Sequence, residues 1–548
     1  MKKALWTLMS LLAVASLLAG CATPVPAAPP TSPPAAAPTS APATQAPPTT
    51  AAPTQAPPTQ PSAAASPKVL KVRLGKDITN LDPANVVGSE EDNVDRAVID
   101  GLIRNVDNSD KTENQLAEWI KVSPDGLTID FKLREGVKWQ RGYGELTTED
   151  VKFSYERFQD PALASAYADD FKALDHVEIV NKYEGKIILK EPQATLWTTT
   201  LPRTSGLIMC KKFVEEVGLD KIKTDIVGTG PYVLAEYTPN QRIVLKRNPD
   251  YWGTPPYYDE IQLIPISDDK AAEVALEAGD IDYGVISLAS VERFKSNPAF
   301  KVDVMPTASY GWVGMNVENP KLKDINVRQA IRYGIDVPSI LVAAYNGLAL
   351  PARAMLPEGI LGYWADAPLY QRDVAKAKDY LAKAGLKTLD LKLAINNTSE
   401  YSTWGQIIQQ NLAEVGINIT IDPLDDAAFW DLGMGDKGKD VELFTMTFTA
   451  MPDPAWFTMW FTCAQVGVWN WMRWCSSKYD ELHAQGIRTL DPAERAKIYV
   501  DMQKLWDEAA MTVWVTNQPL ARAYKPDIVP VVYSGGLGYM LREFKSTK

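Results

Sequence analysis

The sequence predicts an α/β fold in two lobes, which are joined by a hinge and separated by a cleft. The folded body, residues 68–548, exceeds the roughly 250–300 residues at which one hydrophobic core stops growing. Alternating apolar segments typical of strands are interleaved with segments of helical spacing, which indicates sheets covered by helices. We expect the chain to cross between the lobes near Pro306 and again at Met511, and a cleft between lobes is a common ligand site.

Residues 1–20 have the pattern of a secretory signal peptide. Lys2 and Lys3 precede an apolar run that ends at Leu18 and is shorter than the roughly 20 residues of a membrane span. The following Leu18-Ala-Gly-Cys21 resembles a bacterial lipobox, in which Cys21 becomes the lipidated first residue of the mature protein. The alternative is an ordinary signal peptide with an incidental cysteine.

Residues 21–67 are predicted to form a disordered linker. After Cys21 they consist almost wholly of Ala, Pro, Thr, Ser and Gln, which cannot bury enough apolar surface to offset the entropy of ordering. The proline content favours polyproline II, so the segment is expected to hold the body away from a membrane. The same composition is compatible with O-linked sugar.

Composition excludes several classes of function. The formal net charge of −12 argues against nucleic acid as a partner. The sequence has no second long apolar run, so we do not expect a transmembrane pore. Catalytic motifs such as GxSxG, HExxH or paired carboxylates are absent, so we do not expect an enzyme. The two histidines, His176 and His483, are interpreted as surface or capping residues. Because the sequence has only these two histidines and no CxxC motif, we do not expect a metal site.

The first half of the body contains strands and helices around one rigid corner. The corner is Val227-Gly-Thr-Gly-Pro-Tyr-Val233, where glycine tolerates positive φ and Pro231 restricts the backbone. A hairpin with its turn at 238–241 is predicted to follow. Other predicted elements are a strand at 69–74, a helix at 93–103, a strand at 127–139, a helix opened by Thr147 and a helix at 271–279.

The second half continues the α/β alternation. The predicted elements are a helix from Asn326, a helix at 373–385 that Gly385 ends, a strand at 389–395, a helix at 401–415, a strand at 417–421, a helix at 492–510 and a strand at 511–515. The last of these strands is expected to return the chain to the first lobe.

Short motifs along the body resemble one family. The strongest are Gly228-Thr-Gly-Pro-Tyr232 and Asn248-Pro-Asp-Tyr-Trp-Gly253, which resemble a signature of the large extracellular solute-binding proteins of ABC importers, a family with peptide- and nickel-binding members. Further matches, in the family's order, are Leu81-Asp-Pro-Ala84, Ser123-Pro-Asp-Gly-Leu-Thr128, Phe131-Lys-Leu-Arg-Glu-Gly-Val-Lys-Trp139, Thr148-Glu-Asp-Val-Lys-Phe-Ser154, Asp324-Ile-Asn-Val-Arg-Gln-Ala-Ile331 and Asp453-Pro454.

The resemblance implies a periplasmic-binding-protein-like fold of the large class, with an extra subdomain in the first lobe. It implies a first lobe at 68–305 with the subdomain at about 106–210, a second lobe at 306–510 and a return at 511–548. The implied function is capture of a peptide-like solute by a lipid-anchored monomer, at the cell surface or the periplasmic face of a membrane, and delivery to an ABC permease and ATPase. Alternatives are an oligosaccharide receptor of the same family, a surface hydrolase or an adhesin.

Aromatic residues are the main ligand-binding candidates. The chain has 16 Trp and 22 Tyr, and flat aromatic faces stack on sugars, peptide groups or cations. The predicted binding residues, several of them where family members line the cleft, are Tyr310, Trp312, Trp404, Asp453, Trp456, Trp469, Trp471 and Trp514. The alternative for each tryptophan is core packing. We expect Trp312→Ala and Trp404→Ala to weaken binding without unfolding.

Two positions depart from the peptide-binding members that the chain resembles. Their pattern, aligned on Asp453-Pro454, has an aspartate for the substrate's α-ammonium where this chain has Ala450, and a tryptophan at Thr447. An ammonium in a closed cleft needs a carboxylate, because an unpaired buried charge is costly. Either Asp453 or the pair Asp425/Asp426 replaces it, or the ligand is not a free-amine peptide. Few histidines also disfavour nickel.

The cysteines fit an exported protein. Cys463 and Cys475 lie twelve positions apart around an aromatic loop and are predicted to pair, as in dipeptide-binding members of the family; the alternative is two buried thiols. Cys210 lies in an apolar run and is predicted to be a buried free thiol.

Overall fold

The computed structural model describes residues 66–86, 88–106, 111–165, 167–533, 535–536 and 538–548. The predicted signal peptide, the predicted lipidation site Cys21 and the linker up to residue 65 lie outside these residues. Among the helices of the described residues, none combines the length and the apolar character that crossing a membrane requires.

The elements alternate between strands and helices along the chain. The strands are β1 (Val69–Leu74), β2 (Ile103–Asn105), β3 (Thr112–Asn114), β4 (Ala117–Val122), β5 (Thr128–Leu133), β6 (Leu174–Ile179), β7 (Glu184–Leu189), β8 (Tyr232–Thr238), β9 (Arg242–Arg247), β10 (Glu260–Pro265), β11 (Tyr283–Ile286), β12 (Lys301–Pro306), β13 (Ser309–Met315), β14 (Leu389–Asn396), β15 (Ile417–Leu424), β16 (Leu443–Thr449), β17 (Thr512–Thr516), β18 (Pro519–Tyr524), β19 (Ile528–Val529) and β20 (Lys545–Ser546). The α-helices are α1 (Ser89–Val98), α2 (Thr148–Glu156), α3 (Lys211–Val217), α4 (Leu219–Ile222), α5 (Asp269–Ala278), α6 (Val291–Lys295), α7 (Ile325–Gly334), α8 (Val337–Tyr345), α9 (Val374–Lys383), α10 (Ser399–Ala413), α11 (Asp426–Leu432), α12 (Pro454–Thr458), α13 (Ser477–Arg488) and α14 (Pro492–Glu508).

The first lobe is built on a mixed seven-stranded sheet in the order β12-β18-β11-β1-β10-β9-β8. The predicted first strand is at its centre, parallel to both β10 and β11. Its apolar side chains Leu70, Val72 and Leu74 are at most 1% exposed, which explains the alternation in the sequence. The predicted hairpin is the antiparallel pair β8 and β9.

A subdomain of the first lobe contains a four-stranded antiparallel sheet in the order β4-β5-β7-β6. Helix α2 packs on this sheet and begins where predicted: the backbone N–H of Thr147 donates to Asp150 Oδ2 at 3.0 Å. Phe131 and Leu133 of β5 are fully buried in the core of the subdomain. The strands of this sheet run from Ala117 to Leu189.

The second lobe is built on a five-stranded sheet in the order β15-β14-β16-β13-β17. Helices α7, α8, α9 and α10 cover one side of it, with Trp404 and Leu412 of α10 in the core. Asp373 caps α9 by accepting from the backbone N–H of Lys376, and Gly385 follows its end with φ of 75°. An α/β fold in two lobes is therefore what the structure has.

Two adjacent chain segments connect the lobes. The first leaves β12 and enters β13, and the second leaves β17 and enters β18, because β17 pairs with β13 of the second sheet. The prediction that the strand from Met511 already belongs to the first lobe is therefore wrong, and the return lies at Asn517 and Gln518. Between the lobes, Thr307 N donates to Gln518 O at 3.1 Å and Gln518 N donates to Ser309 Oγ at 3.1 Å. The two crossings thus form one hydrogen-bonded ribbon.

The glycine corner has a different basis from the one predicted. Neither Gly228 nor Gly230 has a positive φ. A Cβ atom at Gly228 would lie 1.9 Å from Val98 O, and one at Gly230 would lie 2.6 Å from it. Gly230 N donates to that same carbonyl at 2.8 Å, so the corner packs backbone to backbone on the end of α1. This contact follows α1 directly, and the helix therefore ends at Val98 instead of at the predicted residue 103.

Candidate ligand-binding site

A cavity of about 980 Å³ lies between the two lobes. Both lobes contribute to its walls, and its size is that of a pocket for a small organic molecule or a short peptide. The residues that line it are Val86, Gly88, Ser89, Asp92, Arg96, Tyr167, Asp169, Asp170, Lys172, Ala173, 191–193, Thr195, Arg203 and Thr204 of the first lobe, 449–452, Ala455, Trp456, Met459, Trp460, Thr462, Ala464, Gln465, His483, Ala484, Ile487 and Arg488 of the second, and Tyr533, Gly535 and Gly538 near the C-terminus.

Helix α1 supplies a charged pair to the first-lobe wall. Arg96 Nε donates to Asp92 Oδ1 at 2.7 Å, one helical turn away. The guanidinium of Arg96 also lies over the ring of Tyr533, 3.9 Å from its centroid. Thr204 donates a further hydrogen bond to Asp92. Both charges of this pair are therefore engaged with protein groups.

The second-lobe wall is aromatic and apolar. Trp456 on α12 and Trp460 just after it have ring centroids 6.2 Å apart at an interplanar angle of 63°. Both rings are half-buried and line the cavity. Such a wall can contact apolar side chains or the faces of sugar rings.

Three polar contacts join the subdomain to the second lobe beside the cavity. Thr198 Oγ1 donates to Asp453 Oδ2 at 2.6 Å, and Arg488 Nε donates to Glu191 Oε2 at 2.8 Å. Ala194 N donates to Ile487 O at 2.8 Å. These contacts close one side of the cavity in this conformation.

Most of the predicted aromatic ligand residues lie in the core of the second lobe. Tyr310, Trp312 and Trp404 are 0% exposed, Trp471 is 1% exposed and Trp514 is 9% exposed, and none of the five lines the cavity. They pack on one another, as Tyr310 and Trp312 do with ring centroids 5.5 Å apart. The expectation that Trp312→Ala and Trp404→Ala would leave the fold intact is therefore corrected, since both remove fully buried rings.

Two predicted aromatic residues lie closer to the surface. Trp456 lines the cavity, whereas Trp469 is 37% exposed and packs against Trp430 and Trp460 without lining it. Of the eight residues proposed from sequence, Trp456 alone belongs to the described lining. Because the helical and strand patterns mark burial, they could not separate a ring in the core from a ring that faces the cavity.

Asp453 has a structural role at the edge of the site. Its carboxylate accepts from Arg495 Nη1 at 2.6 Å and Nη2 at 2.8 Å, and from Ala455 N at 2.8 Å. The neighbouring guanidinium of Arg495 contributes to a pKa of Asp453 below its ordinary value, despite burial, which opposes this shift. Thr198 also donates to this carboxylate, so both of its oxygens are occupied. Asp453 therefore does not replace the ammonium-binding aspartate for which this chain has Ala450.

Asp425 and Asp426 do not replace it either. Asp425 accepts from Ala428 N and caps α11. Asp426 accepts from Asn396 Nδ2 at 2.8 Å and from Trp430 Nε1 at 3.1 Å, and both carboxylates are exposed outside the cavity lining. Ala450 itself does line the cavity.

Sequence reasoning missed the titratable residues of the lining, of which His483 and Asp170 are two examples. His483, on α13, was interpreted as a surface or capping residue, but it is half-buried, and its Nδ1 lies 2.9 Å from Thr458 Oγ1. Burial lowers its pKa to about 4, so the imidazole is neutral at physiological pH. His176, in contrast, is exposed on β6 as predicted.

The second missed residue is Asp170, which lies in the turn Ala168–Phe171 of the subdomain. Its Oδ2 accepts from Ser205 Oγ at 2.9 Å. Burial raises its pKa to about 7. The only sequence signal was the Asp169-Asp170 doublet in a segment where no chemical cluster was recognised.

The disulfide predicted from the spacing is present. Cys463 and Cys475 are bonded, and the loop that they close carries the buried Asn470, whose Nδ2 donates to Phe461 O and Trp474 O. Residues Thr462, Ala464 and Gln465 of this region line the cavity, so the crosslink supports one of its walls. Cys210 is a buried free thiol, and burial raises its pKa to about 11.

Comparison with known proteins agrees with this architecture. The family model for bacterial extracellular solute-binding proteins, family 5 Middle, matches residues 111–467. The glutathione-binding protein GsiB of Escherichia coli is 27% identical over 463 residues, covering 82% of this chain and 89% of GsiB.

Solved structures share the fold. The ABC transporter substrate-binding protein CtaP of Listeria monocytogenes superposes with a TM-score of 0.80 at 23% identity, covering 88% of this chain and 99% of CtaP. The periplasmic binding protein DppA of Helicobacter pylori, in complex with the peptide STSA, has a TM-score of 0.72 at 24% identity, covering 88% of this chain and 98% of DppA.

Proposed function

Because this chain belongs to the bacterial extracellular solute-binding proteins of family 5, we propose that it captures a peptide-like solute for an ABC importer. The solute binds in the cavity between the lobes, and the loaded protein delivers it to a membrane permease driven by an ATPase. The relatives GsiB, which binds glutathione, and DppA, which is complexed with a peptide, support a peptide-like ligand.

The observation that carries this proposal is the cavity of about 980 Å³ that both lobes line. A ligand there contacts both lobes at once and so stabilises the closed arrangement over an open one. The wall has charged groups on the first lobe and aromatic groups on the second, which suits a short peptide with polar ends and apolar side chains. We propose that this site binds its ligand without catalysing a reaction.

We also propose the cellular setting from the sequence. Cys21 is the lipid attachment point, and the residues up to 67 connect it to a monomeric body. Within the body, the segments before Thr307 and after Gln518 move as one unit against the segment between them. The anchor keeps the captured solute near the permease.

Thermal unfolding of the full chain in mild detergent tests the proposal. A ligand at 100 times its Kd adds about 2.7 kcal/mol to the free energy of unfolding, a readily measured shift in Tm. We expect a shift with free-amine peptides of two to five residues, or with glutathione. If none of these peptides shifts Tm, peptide capture is wrong.

A second candidate is an oligosaccharide ligand. The observation that favours it is the Trp456–Trp460 pair, whose half-buried rings line the cavity, since aromatic faces stack on sugar rings. A Tm shift with linear oligosaccharides and none with peptides would replace the first proposal with this one.

A further inference from the structure

We propose that Asp170 of the subdomain binds the α-ammonium group of the ligand, the task for which position 450 here offers only a methyl group. This inference rests on the proposed capture of a peptide-like solute. It assigns the ammonium to the lobe opposite Ala450, because Ala450 lies on the second-lobe wall of the cavity and Asp170 on the first.

The turn that carries Asp170 is held firmly. The neighbouring Phe171 is buried, and its ring stacks on Phe158 at 4.4 Å between centroids. Gln193 Nε2 donates to the backbone carbonyl of Asp170 at 3.0 Å, and Ser205 Oγ donates to the carboxylate. Such a side chain is oriented before any ligand arrives, which lowers the entropic cost of binding.

The other carboxylates of the described lining are unsuited to the task. Asp92 is paired with Arg96, and Glu191 is paired with Arg488 at 2.8 Å. Asp169 is exposed to solvent, where an ion pair contributes little. Within the described part of the chain, no Lys, Arg or His forms an ion pair with Asp170.

The environment of Asp170 favours a cation. Burial, the largest influence, and the charge of Asp169 both raise the pKa of Asp170, whereas the hydrogen bond from Ser205 lowers it; the resulting pKa is about 7. An ammonium bound beside it would supply the missing positive charge and lower this pKa again. Lys172 also lines the cavity, and its ammonium group can face the carboxylate end of a zwitterion.

Equilibrium dialysis with two tripeptide libraries tests this assignment. Both lack Lys, Arg and His, so the α-amine is the only cationic group, and one library is N-acetylated. The full chain is compared with Asp170→Asn, a shape-preserving change, and with Asp175→Asn, a matched loss of one charge from an exposed residue outside the described lining. We expect the wild-type protein to retain the free-amine library at least tenfold better than the acetylated one.

Asp170→Asn is expected to remove this preference, and Asp175→Asn is expected to keep it within about twofold. Recovery of the preference when Ala450→Asp is added to Asp170→Asn would support the assignment further. The inference is overturned if Asp170→Asn keeps the preference, or if both aspartate variants lose it equally. If the wild-type chain retains both libraries equally, peptide capture stands and the Asp170 assignment fails. Retention of neither library overturns the proposed function itself.

Discussion

The carboxylate of Asp453 and the guanidinium of Arg495 form a bidentate ion pair whose two side chains are 0% and 2% exposed. The pair connects the start of α12 to α14, and Thr198 of the subdomain donates to the same carboxylate. Two buried charges are stable here because each satisfies the other and backbone groups complete the network, as Arg495 Nε does by donating to Gly486 O.

Removing one member of this pair should destabilise the protein strongly. Asp453→Ala leaves the guanidinium of Arg495 buried without its partner, and we expect a loss of about 3–5 kcal/mol in the free energy of unfolding. Urea unfolding of the full chain measures it. The control is the double variant Asp453→Leu/Arg495→Met, which should recover much of the loss. A single variant as stable as wild type would contradict the role given to the pair.

The tryptophans should divide into structural and ligand-contacting residues. Trp312→Ala removes a fully buried ring, so we expect a loss of about 3–5 kcal/mol in stability. Trp456→Ala removes a half-buried ring of the cavity wall and should weaken retention of the free-amine tripeptide library with a smaller loss of stability. Trp469→Ala, outside the lining, is the matched control for binding. Equal binding by the Trp456 and Trp469 variants would exclude Trp456 from the site.

Acid should destabilise the protein partly through His483. Its folded-state pKa of about 4 lies below the ordinary value of 6.5, so the native state binds fewer protons than the unfolded state between these pH values. The contribution of His483 to stability is therefore complete above pH 6.5 and is lost as pH falls toward 4. Relative to His483→Gln, the wild-type protein should lose about 1–2 kcal/mol more stability between pH 7 and pH 5. Parallel stability curves for the two proteins over this range would contradict the prediction.

Loss of the disulfide should weaken both the fold and the site. Cys463→Ser/Cys475→Ser opens a loop of 12 residues, and the chain-entropy model gives a loss of about 3 kcal/mol. Ligand retention should fall as well, because this region lines the cavity. Cys210→Ser is the control, because it removes a free thiol and keeps the crosslink. Dithiothreitol should lower the Tm of this variant and of the wild-type protein by the same amount. An unchanged Tm on reduction would argue that the crosslink is dispensable.

Gly228→Ala should be severely destabilising, since its Cβ would overlap the carbonyl of Val98 at 1.9 Å. We expect losses of several kcal/mol, of the kind caused by forced backbone shifts. The matched control is Gly405→Ala in α10, where the nearest atom is a side-chain carbon of Ile421 at 3.4 Å and alanine favours the helix. Circular dichroism melts of the two variants compare them directly. Similar melting temperatures would refute the close-packing explanation.

Sequence patterns predicted the fold far better than the site. Alternation in β1 and the Thr147 cap of α2 depend on neighbours in the chain, and both were predicted correctly. The end of α1 depends on contact with Gly230, more than a hundred residues away, and was missed. The cavity wall is set by long-range packing too, so the sequence could not separate Trp312 from Trp456, or point to Asp170 in place of Asp453.

The ribbon formed by the two crossings limits how the molecule can open. If Thr307 and Gln518 stay hydrogen-bonded, the crossings cannot swivel independently, and the lobes can separate only by bending about a line across the ribbon. The subdomain touches the second lobe through Thr198, so the hydrogen bond from Thr198 to Asp453 must break when the lobes separate. The same motion separates Arg488 from Glu191, so uncovering the cavity requires breaking the polar contacts that close one side of it.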